Sequence, residues 1–243
     1  MALMRILPVL DLMHGQVVRG VAGKREHYQP IRSPLAASAT PLAVARAFRE
    51  HFQLIELYLA DLDAIAGSLP AIEVFLTLQS EGFKLLVDAG LRCAADAAPL
   101  LTAGVSAIVA GLETVLEPLA LEEIVKQVGS DLLVFSLDLK NGQPLTTSAA
   151  WGTTTPFGIA SKAIGLGVRR LLILDLARVG VGTGTGTESL CAQLKQMYPN
   201  IELLAGGGVR GGQDLERLRQ CGVDCALVAS ALHDGQLKRE DWI

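Results

Sequence analysis

Four aspartates, Asp11, Asp61, Asp138 and Asp175, each end a short apolar run in this 243-residue chain. In parallel α/β folds the C-terminal ends of strands carry the loops that build active sites. Two carboxylates placed there can divide acid and base work if their surroundings push their pKa values apart, one staying ionised and the other protonated. The same residue type also caps helices and holds turns through backbone N–H groups, so each aspartate alone admits a structural role. Asp11 and Asp138 are the leading acid/base pair, and Asp175 is a third catalytic candidate.

A second chemistry is suggested by glycine. Gly206-Gly-Gly-Val-Arg210 has the form of a phosphate cradle, in which backbone free of side chains lets N–H groups approach an anion; the alternative is a tight strand-to-helix turn. Ala229-Ser230 follows the next strand, where barrels often hold phosphate. Gly207, Gly208, Arg210, Ala229 and Ser230 are therefore phosphate-binding candidates. A matching set, Gly90, Arg92 and Gly111, lies in Asp88-Ala-Gly-Leu-Arg92 and Ala110-Gly111, but there Asp88 would repel an anion unless turned away. Gly180-Val-Gly-Thr-Gly-Thr-Gly186 is too rich in glycine for helix or strand and is expected to form a loop over the mouth, with Gly182 at the substrate. The first loop, Gly15 to Pro34, carries Arg19, Lys24, Arg25 and Arg32 and is long enough for a second cover, with Arg19 as a ligand; its charges also fit a solvated edge.

The elements that must position these groups alternate. Strands are predicted over Arg5 to Asp11, Leu54 to Ala60, Lys84 to Asp88, Ala107 to Ala110, Leu132 to Asp138, Arg170 to Asp175, Ile201 to Ala205 and Asp224 to Val228. Helices are predicted over Pro41 to His51, Leu69 to Ser80, Ala94 to Thr102, Pro118 to Val128, Pro156 to Leu166, Glu188 to Met197 and Gln213 to Gln220. Short apolar runs separated by helical periods imply a parallel sheet with helical crossovers. An open doubly wound sheet would usually show a glycine-rich dinucleotide turn after its first strand, where this chain reads Asp11-Leu-Met-His-Gly, so a (β/α)8 TIM barrel is preferred.

An internal repeat supports the barrel. Ala89-Gly-Leu-Arg92 and Thr102-Ala-Gly-Val105 return as Gly207-Gly-Val-Arg210 and Gln220-Cys-Gly-Val223 at an offset of 118 residues, and Ile108 to Gly111 returns in the stretch ending Leu227-Val-Ala229. One domain over 1–243 is expected, built from similar half-barrels of about 1–128 and 129–243. In a ring of eight, strands 1 and 5 face each other across the mouth, as do the 3/4 and 7/8 pairs. That arrangement suits an elongated substrate with a phosphate at each end.

Composition narrows the partners. The net charge of −4 gives no basic surface for nucleic acid, and charged residues interrupt every apolar run before the roughly 18 residues of a membrane span. The apolar start, Met1 to Leu10, ends at Asp11 without a signal-peptide cleavage site and reads as the first strand. A cytoplasmic location follows. Four cysteines, at 93, 191, 221 and 225, form neither a disulfide framework nor a zinc site and are expected to be buried, reduced thiols. The expected partner is a small phosphorylated sugar, with no cofactor and no metal, and the oligomeric state is left open.

Taken together, Leu7-Pro-Val-Leu-Asp-Leu12, Gly15-Gln-Val-Val-Arg19, Ala60-Asp-Leu-Asp63, Phe135-Ser-Leu-Asp138, Trp151-Gly152 and Gly207-Gly-Val-Arg210 resemble the HisA/HisF family of phosphate-binding barrels, on its ProFAR isomerase side, over nearly the whole chain. The resemblance implies a cofactor-free Amadori rearrangement of an aminoaldose phosphate to an aminoketose, as in histidine biosynthesis, with Asp11 at the position of the general base and Asp138 at that of the general acid. The chain departs from the family pattern at Leu174-Asp175 and Arg178-Val179-Gly180, where a Thr and an Asp are usual, at Asp88-Ala-Gly90, where three glycines are usual, and at Lys140, where Arg is common. Ala60-Asp-Leu-Asp63, Val87-Asp-Ala-Gly90 and Leu174-Asp-Leu-Ala-Arg178 look more like a HisA-related branch of methanogens and methylotrophs. Two alternatives therefore stay open: a lyase or synthase acting on another phosphosugar in one-carbon coenzyme (methanopterin or methanofuran) synthesis, and a non-catalytic phosphometabolite-binding barrel.

Overall fold

The computed structural model describes residues 4–146 and 148–243. Eight strands, β1 (Arg5–Met13), β2 (Glu56–Asp61), β3 (Lys84–Asp88), β4 (Ala107–Gly111), β5 (Leu133–Lys140), β6 (Arg170–Asp175), β7 (Glu202–Gly206) and β8 (Cys225–Val228), pair in parallel in chain order. The ring closes where β8 pairs back onto β1, with Leu7 opposite Leu227. The chain is thus a (β/α)8 barrel. Its principal helices are α1 (Pro41–Phe52), α2 (Ile72–Ser80), α3 (Ala98–Ala103), α4 (Pro118–Val128), α5 (Pro156–Gly165), α6 (Glu188–Met197) and α7 (Gly212–Gln220). No helix among the described residues is long and apolar enough to cross a membrane.

Local chemistry accounts for the helix starts. Pro41, Pro118 and Pro156 open α1, α4 and α5, where the missing N–H has no intrahelical partner to lose. The Thr155 hydroxyl caps α5 by accepting from the Gly158 N–H at 3.1 Å. Two boundaries differ from expectation. The segment expected to be helical from Leu69 begins at Ile72, because Pro70 disfavours a helical conformation at Leu69. The segment from Ala94 starts as a 3-10 turn, Ala94–Ala97, tied down by the Asp96 carboxylate, which accepts from Arg92 N and Cys93 N. The first loop is also more ordered than expected: β1 runs on to Met13 because Asp11, Leu12 and Met13 pair antiparallel with Val18, Val17 and Gln16, and this strand (Gln16–Arg19) pairs with Gln29–Pro30.

Alternation along each strand sorts side chains between two cores. Leu7, Tyr58, Leu86, Val134, Leu172 and Leu227 point into the barrel and pack on one another. Their neighbours Ile6, Leu57, Leu85, Leu133, Leu171 and Ala226 belong to the larger core between sheet and helices. Both faces are therefore apolar, as parallel barrel strands require. Of the thiols, Cys191 and Cys225 are buried and Cys221 is half-buried, but Cys93 is exposed because it sits in the turn before α3.

Gly90 shows how tightly β3 is joined to what precedes it. Its φ is +69°, and a Cβ there would lie 2.6 Å from the Ile65 Cα. Gly90→Ala combines left-handed strain with a backbone clash, and its expected cost is about 2 kcal/mol, read as a lower urea midpoint at unchanged m-value.

Candidate active site

The pleat decides which strand-end aspartates reach the mouth. Asp11 continues the inward series Leu7, Val9; Asp138 continues Val134, Ser136; and Asp88 continues Leu86. All three carboxylates line one cavity of about 610 Å³ at the C-terminal ends of the strands. Asp61 and Asp175 follow the outward series Leu57, Leu59 and Leu171, Ile173, so they turn toward the backbone of the loops. Asp61 accepts from Ala64 N at 3.1 Å and Ala71 N at 2.8 Å. Asp175 accepts from Asn141 N, Gly142 N and Ala177 N at 3.1, 2.8 and 3.0 Å, holding the turn after β5 and the first turn after β6. It does not join the cavity wall.

The three inward carboxylates share a crowded, water-poor floor. Asp138 accepts from the Ser136 hydroxyl at 2.7 Å and from Glu113 N at 3.2 Å. Asp88 accepts from Gly90 N at 3.0 Å and from the Tyr58 hydroxyl at 3.3 Å. Gly111 lets the two approach: a Cβ there would stand 2.9 Å from Asp138 Oδ2 and 3.8 Å from Asp88 Oδ2. Burial, reinforced by the neighbouring Asp88 charge, lifts the Asp138 carboxyl to about 7. Burial lifts Asp11 to about 6, opposed by the Arg25 guanidinium, and burial lifts Asp88 to about 6, opposed by the Gly90 N–H. Tyr58, buried and facing all three carboxylates, is held well above the usual phenol range, chiefly by burial, and stays a neutral donor. Near neutral pH this set contains two carboxylates mainly ionised, Asp11 and Asp88, and one divided between its two forms, Asp138.

The opposite side of the mouth is glycine-lined. Gly207, Gly208, Arg210, Ala229 and Ser230 all border the cavity. The backbone N–H groups of Gly207, Gly208 and Ala229 have no hydrogen-bond acceptor among the described residues. Arg210 is already engaged: its Nε and Nη2 each lie 2.9 Å from the Asp214 carboxylate, which this contact holds down at about 2. Arg19 also borders the cavity, paired with Asp234. The first-half counterparts are dispersed. Gly111 lines the cavity, but Gly90 packs on Ile65, and Arg92 donates to the Gly90 and Ile65 carbonyls at 2.9 and 2.8 Å, away from the mouth.

Two loops cover the opening. Ala22 N donates to Val179 O at 2.8 Å, and a Cβ on Gly180 would stand 2.0 Å from Gly20 O, so the loop after β1 and the loop after β6 lie against each other at bare backbone. Val179 and Gly182 reach the cavity, and Arg25 crosses it to Glu113 at 2.9 Å. Among the described residues no group of three His, Cys, Asp or Glu is placed to hold a metal ion.

A closed barrel with inward acids on β1, β3 and β5 and bare backbone amides after β7 and β8 can now be set beside known proteins. The model of a family described as histidine biosynthesis protein matches residues 5–238. The chain belongs to that family. Among its relatives is an uncharacterised protein of Methanocaldococcus jannaschii, 32% identical over 99% of this chain and 98% of its own. Proteins named 1-(5-phosphoribosyl)-5-((5-phosphoribosylamino)methylideneamino)imidazole-4-carboxamide isomerase, or ProFAR isomerase, are similar at the same scale. The one from Syntrophomonas wolfei is 30% identical over 96% of this chain and 95% of its own, and the one from Thermus thermophilus 29% over 98% and 99%. Membership in the HisA/HisF family agrees with the resemblance carried by the motifs.

Within this family barrel, residue-by-residue reading of the sequence missed Tyr58, Glu113 and the inward aim of Asp88. Tyr58 and Asp88 obey the same strand-end alternation as Asp11. The signal was present but had no phase, because neither strand face is polar. Glu113 lies in an irregular turn, and nothing in its neighbours' types marks it.

Proposed function

We propose that the chain is an isomerase that converts a phosphorylated aminoaldose to the aminoketose by an Amadori rearrangement, with Asp11 as general base and Asp138 as general acid. The observation that carries this reading is the pair of inward carboxylates on β1 and β5 in one cavity, raised to about 6 and about 7. Asp138 in its protonated form donates to the ring oxygen as the sugar opens to the Schiff base. Asp11 in its ionised form takes the proton from C2, leaving the enolamine. Return of a proton to C1 and loss of one from the C2 hydroxyl gives the aminoketose, so atoms and charge balance without a cofactor. The bare amides of Gly207, Gly208 and Ala229 bind the phosphate, and Ser230 adds a hydroxyl donor. Relatives named ProFAR isomerase support the reaction class.

A lyase or synthase acting on a different phosphosugar is the second reading, and the carboxylate of Asp88 inside the cavity favours it. The test is aminoketose formation by purified protein from a panel of 5-phosphoribosylamines that differ in the group on nitrogen, ProFAR among them. Turnover of any member at about 1 to 10³ per second, the usual range for an enzyme on its own substrate, supports the isomerase. A folded, phosphate-binding protein that turns over none of them refutes it.

A further inference from the structure

We infer that Asp88 is a specificity determinant that bars a second phosphate from the β3/β4 side of the mouth, so that the substrate is a sugar monophosphate whose other end carries no phosphate. The inference rests on the isomerase reading for the kind of sugar, but its evidence is separate. The internal repeat places Gly90, Arg92 and Gly111 where the second half has Gly208, Arg210 and Ala229, and that correspondence raised the expectation of two anion sites. The two sides are chemically unlike.

On the β7/β8 side the amides of Gly207, Gly208 and Ala229 have no acceptor among the described residues. On the β3/β4 side several of the donors near the mouth are already used. Gly90 N donates to Asp88 and Arg92 N to Asp96. Leu112 N donates to Ser136 O, Glu113 N to Asp138, and Thr114 N to Gly111 O. The Arg92 guanidinium is spent on two backbone carbonyls. What faces the cavity there is acid: Asp88, Asp138 and Glu113, with Asp11 across from them. Arg25 and Lys140 are the cations that reach the same space, and Arg25 is paired with Glu113. A phosphate dianion would stand beside Asp88 in a site of low dielectric, where like charges repel strongly. The space over Gly111 is filled by the Asp138 and Asp88 carboxylates themselves, so the wall met by an incoming anion there is acid.

The test uses calorimetric titration of the full chain at pH 7.5 with fructose 6-phosphate and fructose 1,6-bisphosphate. The wild-type protein is expected to bind the bisphosphate no tighter than the monophosphate. Asp88→Gly is expected to raise bisphosphate affinity at least tenfold while changing monophosphate affinity less than threefold. Asp88→Asn, which keeps an acceptor for Gly90 N, should shift affinity in the same direction by a smaller factor and guards against a folding defect in the glycine variant. Bisphosphate binding tenfold tighter than monophosphate in the wild type, no gain in either variant, or no binding of either sugar would each overturn the inference. Efficient turnover of ProFAR, which carries two phosphates, would also refute it while sustaining the isomerase. The expected binding order in a protein that turns over no phosphoribosylamine would refute the isomerase and leave the inference standing.

Discussion

Asp11→Asn and Asp138→Asn are each expected to lower kcat on the turned-over phosphoribosylamine by 10²- to 10⁴-fold, the usual contribution of a positioned acid or base. Phosphate affinity should stay within a few-fold of wild type. The separation follows from place: the two carboxylates sit on β1 and β5, whereas the open amides lie after β7 and β8. The pH profile of kcat/KM should be bell-shaped, rising through about 6 as Asp11 ionises and falling through about 7 as Asp138 loses its proton. The Asp11 variant should lose the acid limb and the Asp138 variant the alkaline limb from whatever rate remains. Near-wild-type rates in both variants would remove these residues from the mechanism. Asp175→Asn should leave the profile unchanged, because its carboxylate holds backbone N–H groups outside the cavity.

The second large effect is on stability, and its sign is opposite to the loss of activity. Asp138 titrates near 3.8 in the ordinary case and at about 7 in the folded chain. Between those values the folded protein holds a proton that the unfolded chain has released, so stability falls as pH rises through this window and levels off above it. Asp11 and Asp88, raised to about 6, add to the same slope over a narrower range. An asparagine at 138 keeps one oxygen to accept from Glu113 N and can donate its NH2 to the Ser136 hydroxyl, but never becomes a buried anion. Asp138→Asn is therefore expected to match wild type near pH 4 and to be more stable above pH 7 by on the order of 4 kcal/mol, at 1.36 kcal/mol per pKa unit. Urea unfolding at pH 4, 6 and 8 measures this directly. A variant less stable than wild type at pH 8 would mean that the carboxylate's hydrogen bonds outweigh its desolvation. A catalytic variant that is more stable than its parent is the expected sign of a group held in place for chemistry.

These two expectations, with the glycine constraint at Gly90, depend on information that the sequence carries unevenly. The alternation of apolar strand and amphipathic helix is local, and it placed Lys84 to Asp88 and Arg170 to Asp175 at the strand bounds seen in the structure. The Pro-initiated helices α1, α4 and α5 were legible for the same reason, since the first turn of a helix tolerates proline wherever it lies. The turn chemistry after β1 was not, because the pairing of Gln16–Arg19 with Gln29–Pro30 joins residues that only a hairpin brings together.

From sequence alone came a ring of eight strands, aspartates at four strand ends, and glycines after β7. Those follow from composition, spacing and the repeat. Which aspartates face the mouth was settled only by the tertiary structure. In Arg170–Asp175 every residue between Arg170 and Asp175 is apolar, so polarity does not mark the inward face, and a shift of one residue exchanges cavity for helix layer. Closure of β8 on β1 sets that phase for the whole ring, turning Asp11, Asp88 and Asp138 inward and Asp61 and Asp175 toward backbone amides. The charges of the site follow from the same geometry, because a carboxyl is raised by what surrounds it and the charge that adds to burial at Asp138, that of Asp88, comes from a strand 50 residues away in the chain.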